Sequence, residues 1–238
     1  MKEELLVLFG EVGGDPDILE EVLKIPATRY ICLGNLVPKE PDFEDKKELT
    51  RAEKAEKELF ENNLIECLEI VKESGCTVLK GENEYALVDF EEPKIRAYLR
   101  ELPMAIYRNG FGFFPTLSNF KELDLPLGKR SPRTLKNGEL VSLYGHQIRR
   151  TLANLLENNV NIDSFFFGSR EECVLWEYNS RFPARADSIY EAIEDARGTH
   201  ELDLSKRHSS FLMLPGSLEK GYYCLFRLPE KKLIMFSV

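Results

Sequence analysis

The stretch LLVLFGEVGGDPDILEEVL, residues 5–23, decides the fold class. Leu5 to Phe9 is a continuous apolar run of strand length. Asp15 to Lys24 then carries apolar residues at helical spacing, Ile18, Leu19, Val22 and Leu23. Asp15 suits the cap of that helix, and Pro16 suits its first turn. The turn between strand and helix, Gly10-Glu11-Val12-Gly13-Gly14-Asp15, sits where many α/β enzymes present catalytic side chains. It fits no phosphate loop, and it holds neither histidine nor cysteine.

Working outward, the same rhythm repeats. Arg29 to Leu33 reads as a second strand stopped by Gly34. Residues 46–74 read as a long charged helix with apolar points at Leu49, Phe60, Leu64, Cys67, Leu68 and Val71, ended by Gly75. Cys76 to Leu79 is a third strand, stopped by Gly81. A β-α-β-α-β order calls for a parallel sheet with helices on its faces. The second half differs. A short helix is expected over Pro93 to Leu102, and two strands between Met104 and Phe114 around Asn109-Gly110. Residues 115–140 are loop-rich, and a helix is expected from about His146 to Glu157. Ser164 to Phe167 is a strand stopped by Gly168. After a Leu214-Pro215-Gly216-Ser217 turn, two strands close the chain at Tyr222 to Leu228 and Leu233 to Val238. Such late hairpins imply a mixed sheet or a sandwich.

Bulk properties set outer limits. With 238 residues the chain can bury a substantial core, and 43% hydrophobic beside 31% charged residues marks a globular chain. A net charge of −9 argues against general nucleic-acid or anionic-membrane binding. The one tight basic cluster, Lys129, Arg130 and Arg133, reads as a solvated loop. The five cysteines are scattered without a CxxC pair, so buried thiols are expected and a zinc site is not. With acidic residues ahead of its first apolar run and no run of 18 apolar residues, the chain is expected to be cytoplasmic. Scarce glutamine and abundant Glu and Lys give it a thermophile-like composition.

Ligands of open α/β sheets sit beyond the carboxyl ends of the strands. The four strand-end loops read Gly10-Glu11-Val12-Gly13, Gly34-Asn35, Gly81-Glu82-Asn83-Glu84 and Gly168-Ser169-Arg170-Glu171. In this order, with "YICLGNLV", "CTVLKGENEYAL", "YLRELP", "FFFGSREECVLWE" and "LMLPGSLEKGYYCLF", the chain resembles the calcineurin-like metallophosphoesterases, especially their small bacterial and archaeal phosphodiesterase branch. The resemblance implies an α/β fold, a four-layer α/β/β/α sandwich with mixed sheets. It implies one domain over residues 1–238, with insertions near 40–60 and 180–208.

The resemblance also implies a two-metal site, whose ions polarise a phosphate and generate a hydroxide nucleophile. The expected ligands are rewritten here. Glu11 stands for the first Asp, Gly13 for its His partner, Asn35 for the bridging Asp and Glu82 for a ligand Asn. Asn83 stands for the His of the general acid, and Ser169 and Glu171 for a late His pair. Another expected ligand His, after the strand near Phe111 to Phe114, is met by Pro115-Thr116-Leu117. A neutral Asn35 cannot bridge two divalent ions, and the lost imidazoles are the ligands that borderline metals prefer. The pocket is thus expected to hold Glu11, Gly13, Asn35, Glu82, Glu84, Ser169 and Glu171, with Asn83 an inactive catalytic position.

These readings make the chain a metallophosphoesterase-like protein with a degenerate site, a non-hydrolytic binding or regulatory protein taking a small ligand or a protein, with no cofactor. One alternative is a phosphodiesterase-type hydrolase with a single Mg²⁺ or Ca²⁺ on Glu11, Asn35, Glu82 and Glu171, since hard cations accept all-oxygen ligands. Another is a structural or interaction protein acting through the helix at 46–74. His146 precedes a helix instead of following a strand, His200 and His208 fall in the late insertion, and Trp176 reads as core. Ile189, Ala192, Ile193 and Ala196 recur at helical spacing, so Asp187 to Arg197 is expected to form a helix across the old cleft. It would bring Arg181, Arg185 and Arg197 to the carboxylates.

Overall fold

The structure is a computed structural model that describes residues 3–39, 50–87, 90, 92–115, 164–168, 174–178, 190–191, 198–206 and 210–237. Within them the first half follows the sequence pattern. The run at residues 5–9 lies in strand β1 (Glu4–Phe9), and Asp15 accepts the Ile18 amide at 3.2 Å to cap helix α1 (Pro16–Leu23). Strand β2 (Arg29–Cys32), helix α2 (Arg51–Ser74) and strand β3 (Thr77–Val78) follow. Helix α2 begins at Arg51 because Thr50 and Glu53 form a reciprocal capping box. Of the earlier start expected at residue 46, residues 46–49 lie outside the described part. Gly75 ends α2 in the left-handed conformation, φ 67°. Helices α3 (Glu82–Ala86) and α4 (Pro93–Glu101) come next, Glu92 capping α4 through the Ile95 amide at 2.7 Å. Among the described residues, no helix is long and apolar enough to cross a membrane.

From Ile106 onward the described elements are mainly strands: β4 (Ile106–Arg108), β5 (Phe111–Phe114), β6 (Ser164–Phe167), β7 (Val174–Tyr178), β8 (Tyr190–Glu191), β9 (Gly198–Asp203) and β10 (Ser210–Leu214). The closing hairpin is β11 (Tyr222–Leu228) and β12 (Lys232–Ser237). The first sheet has the order β3-β2-β1-β11-β12-β9, and the second β4-β5-β6-β10-β7-β8. Both are mixed: β1, β2 and β3 run parallel, β1 and β11 antiparallel, while β6 lies parallel to both β5 and β10 and β7 antiparallel to β10.

The helix expected over Asp187–Arg197 is corrected by the strand at its centre. Tyr190 and Glu191 pair antiparallel with Trp176 and Leu175, so sheet pairing overrides the local helical spacing. The rest of that segment, with Arg181, Arg185 and Arg197, lies outside the described residues, as do the expected loop at 115–140 beyond Pro115, the helix at 146–157, the basic cluster at 129–133, His146 and His208. His200 lies on β9, an edge strand of the first sheet.

Period-two alternation divides the core. Leu6 and Leu8 of β1 face the second sheet and join Phe111, Phe113, Phe166, Phe211 and Phe226 in one cluster. The rings of Phe113 and Phe166 stack at 5.1 Å, and Phe111 meets Phe226 edge-on at 4.9 Å. Val7 and Phe9 face the opposite way, onto Leu19 of α1, Phe60, Leu64, Cys67, Leu68 and Val71 of α2, and Leu99 of α4. The described layers are therefore helices, sheet, sheet. Phe114, Phe165 and Phe167 are buried as well, outside that inter-sheet cluster. At the start of β1, Glu4 receives Arg108 from the β4–β5 hairpin, Nε to Oε2 at 3.1 Å, an ion pair between the sheets.

Cys32, Cys67, Cys76 and Cys224 are buried thiols. Burial pushes Cys67 and Cys76 up to about 12, and Cys32 well above its ordinary value. Because the thiolate is the nucleophile, these three should resist iodoacetamide in the native protein at pH 8, by at least about a hundredfold relative to the urea-unfolded chain. Peptide mass spectrometry reads this directly, and rapid native labelling at Cys32, Cys67 or Cys76 would contradict the packing of α2 on β2 and β3.

Candidate functional site

The carboxyl ends of β1, β2 and β3 lie side by side, and their loops continue the pairing past the strands. The Leu33 amide donates to Phe9 O at 2.7 Å, Glu11 to Gly34 O at 3.1 Å, Val12 to Asn35 O at 3.0 Å and Gly14 to Leu36 O at 3.0 Å. On the other flank Gly10 pairs with Ser217, and the Leu218 and Glu219 amides donate to Gly10 O and Glu11 O at 2.8 and 3.1 Å. The Leu-Pro-Gly-Ser turn is thereby docked against the first loop. Glu11 and Asn35, at matching places after β1 and β2, hold φ of 51° and 54°, the left-handed region that few non-glycine residues adopt.

The second sheet reaches the same end of the molecule. The Gly168 amide donates to Phe114 O at 2.8 Å, and a Cβ on Gly168 would stand 1.9 Å from Leu33 O and 2.6 Å from Pro115 O. Only a residue without a side chain lets the end of β6 lie against the end of β2 this closely.

Glu84 is fully buried. Its Oε2 accepts the amides of Asn35 at 2.9 Å and Gly81 at 2.7 Å, and its Oε1 accepts Val37 at 3.0 Å. Burial pushes this carboxyl above its ordinary value, while the amides of Val37, Asn35 and Gly81 pull it down. Asn35 Oδ1 accepts the Asn83 amide at 3.2 Å, and Asn83 Nδ2 donates to Val37 O at 2.9 Å. Glu82 is exposed at the start of α3, and Glu11 is half-buried. A Cβ on Gly13 would lie 3.2 Å from the carboxyl of Glu219.

This arrangement of strands and loops has relatives among solved structures. A metallophosphoesterase from Sphaerobacter thermophilus superposes with a TM-score of 0.56 over 98% of this chain and 88% of its own, at 13% identity. The chain has the metallophosphoesterase fold. The protein TT1561 of Thermus thermophilus also matches, with a TM-score of 0.49 over 99% of both chains at 12% identity. No protein-family model matches the sequence, and no curated protein does either.

On the metallophosphoesterase fold, the residues singled out from the sequence divide into three groups. Asn35, Asn83 and Glu84 meet in one hydrogen-bonded lattice between the loops after β2 and β3. Glu84 is expected from the sequence among the pocket carboxylates, but its oxygens face backbone amides in the interior. Glu11 and Gly13 lie on the neighbouring loop, and Glu82 begins α3. Ser169, Arg170 and Glu171 lie outside the described residues. Among the described residues, no three His, Cys, Asp or Glu side chains are grouped as a metal ion would require. Sequence reading misses Glu219 beside Gly13. The Pro-Gly-Ser turn is the available signal, because it brings the next residues onto the first loop.

Proposed function

We propose that this metallophosphoesterase-fold protein is a non-hydrolytic binding or regulatory protein, taking a small ligand or a protein segment at the carboxyl ends of β1 to β3. One observation carries the reading: the Asn35 side chain accepts the Asn83 backbone amide, and the Asn83 side chain donates to the Val37 carbonyl. The resemblance assigns these places to the bridging carboxylate and the general acid. An amide at the first supplies no charge to hold two divalent ions together. An amide at the second is far too weak an acid to protonate a leaving group, a role worth about 10²–10⁴ in rate. The residues present do not fit a two-metal centre, since Gly13 offers no side-chain donor and the Glu84 carboxylate is occupied by three amides.

The test is elemental analysis after incubation with manganese or nickel, together with assays on generic phosphodiester and phosphomonoester substrates in manganese, nickel, magnesium and calcium. The expected results are well under two ions per chain and no turnover above buffer background. Turnover abolished by Glu11→Ala or Glu82→Ala would overturn the proposal in favour of a one-cation phosphoesterase.

A further inference from the structure

The loops after β2 and β3 are joined by contacts that involve no ion. The Glu84 carboxylate draws in backbone amides from both sides, Asn35 and Val37 from one loop and Gly81 from the other. The side chains of Asn35 and Asn83 add two bonds across the same gap, to the Asn83 amide and the Val37 carbonyl. The fit is close: a Cβ on Gly81 would lie 2.4 Å from both the amide nitrogen and Oδ1 of Asn35. Every bond in the set has a backbone group at one end, so the set fixes loop position and not merely side-chain rotamers.

We infer that Asn35, Asn83 and Glu84 form an ion-free latch that holds the strand-end loops in their working arrangement, so that this end of the sheet is organised for its ligand without any metal. The latch does the cross-linking that bound cations would do in a site built from charged ligands. It is independent of the cation-binding capacity of Glu11 and Glu82. A one-cation hydrolase with its ion on Glu11 and Glu82 would therefore sink the non-hydrolytic reading and leave the latch standing, whereas an ion that takes Asn35 Oδ1 from the Asn83 amide would overturn both.

Amide hydrogen exchange followed by NMR tests it on the native chain. The amides of Asn35, Val37, Gly81 and Asn83 should be as protected in EDTA as in excess Mg²⁺ or Mn²⁺, within about twofold. A loss of protection of about tenfold or more in EDTA would overturn the latch, because the loops would then depend on a metal. A second arm uses Asn35→Gly, which keeps the left-handed backbone and deletes the Oδ1 acceptor. Exchange at Asn83 should rise about tenfold while Leu8 and Phe9 of β1 stay unchanged. Unaltered exchange at Asn83 in that variant would equally refute the proposal.

Discussion

Replacing Glu84 with alanine is expected to lower the unfolding free energy by about 3–4 kcal/mol, because three amide donors lose their shared acceptor in the interior. Each buried donor left unpaired costs about 1–3 kcal/mol. Removing a carboxyl whose charge burial disfavours returns part of that sum. Glu84→Gln keeps one oxygen but turns an NH₂ toward an amide donor, so about half the loss is expected. Urea melts of the two variants measure this ordering. A loss under about 1 kcal/mol for Glu84→Ala would mean that the amides of Asn35, Val37 and Gly81 find other partners, and that the carboxylate is not their anchor.

The other large effect belongs to Gly168. An alanine there must push its methyl against Leu33 O, 1.9 Å from the ideal Cβ position, with Pro115 O at 2.6 Å. Both obstacles are backbone, so no side-chain rotation relieves them, and a loss of about 3 kcal/mol or more is expected. Gly75→Ala is the informative control. Its Cβ would meet nothing within 4 Å, so only the left-handed backbone, φ 67°, opposes the change. That strain is worth about 1–2 kcal/mol. Equal melting of the two variants would refute the close approach of β6 to β2.

How much of this is readable in advance varies with the physics involved. The run at residues 5–9, the Asp15-Pro16 helix start and Gly75 are local signals, and the structure holds each where the pattern puts it. Thr50 and Glu53 carry an equally local signal for the start of α2, a threonine followed three residues later by glutamate, which the apolar spacing obscures. Tyr190 and Glu191 fail differently. Their neighbours repeat at helical spacing, yet pairing with β7, contributed by a separate segment, determines their conformation. Glu84 shows the limit for the site. Its position among Glu11 and Glu82 in the loop order suggests a shared pocket, but burial and hydrogen-bond partners depend on three-dimensional packing. Even so, a glutamate three residues beyond Gly81 at a helix start is the spacing from which a side chain reaches back to the backbone.

The position of β1 between β2 and β11 has a consequence for how the chain is made. Leu6 to Phe9 pair on one side with β2, which emerges from the ribosome soon afterwards. On the other side Leu5 to Leu8 pair with Arg227 to Cys224, about two hundred residues later. At translation speeds of roughly 5–20 residues per second, that edge stays open for about ten to forty seconds in every newborn molecule. An unpaired apolar strand edge invites pairing with another chain. Yield in a cell should therefore depend on synthesis rate, temperature and chaperone supply more steeply than the stability of the finished protein implies.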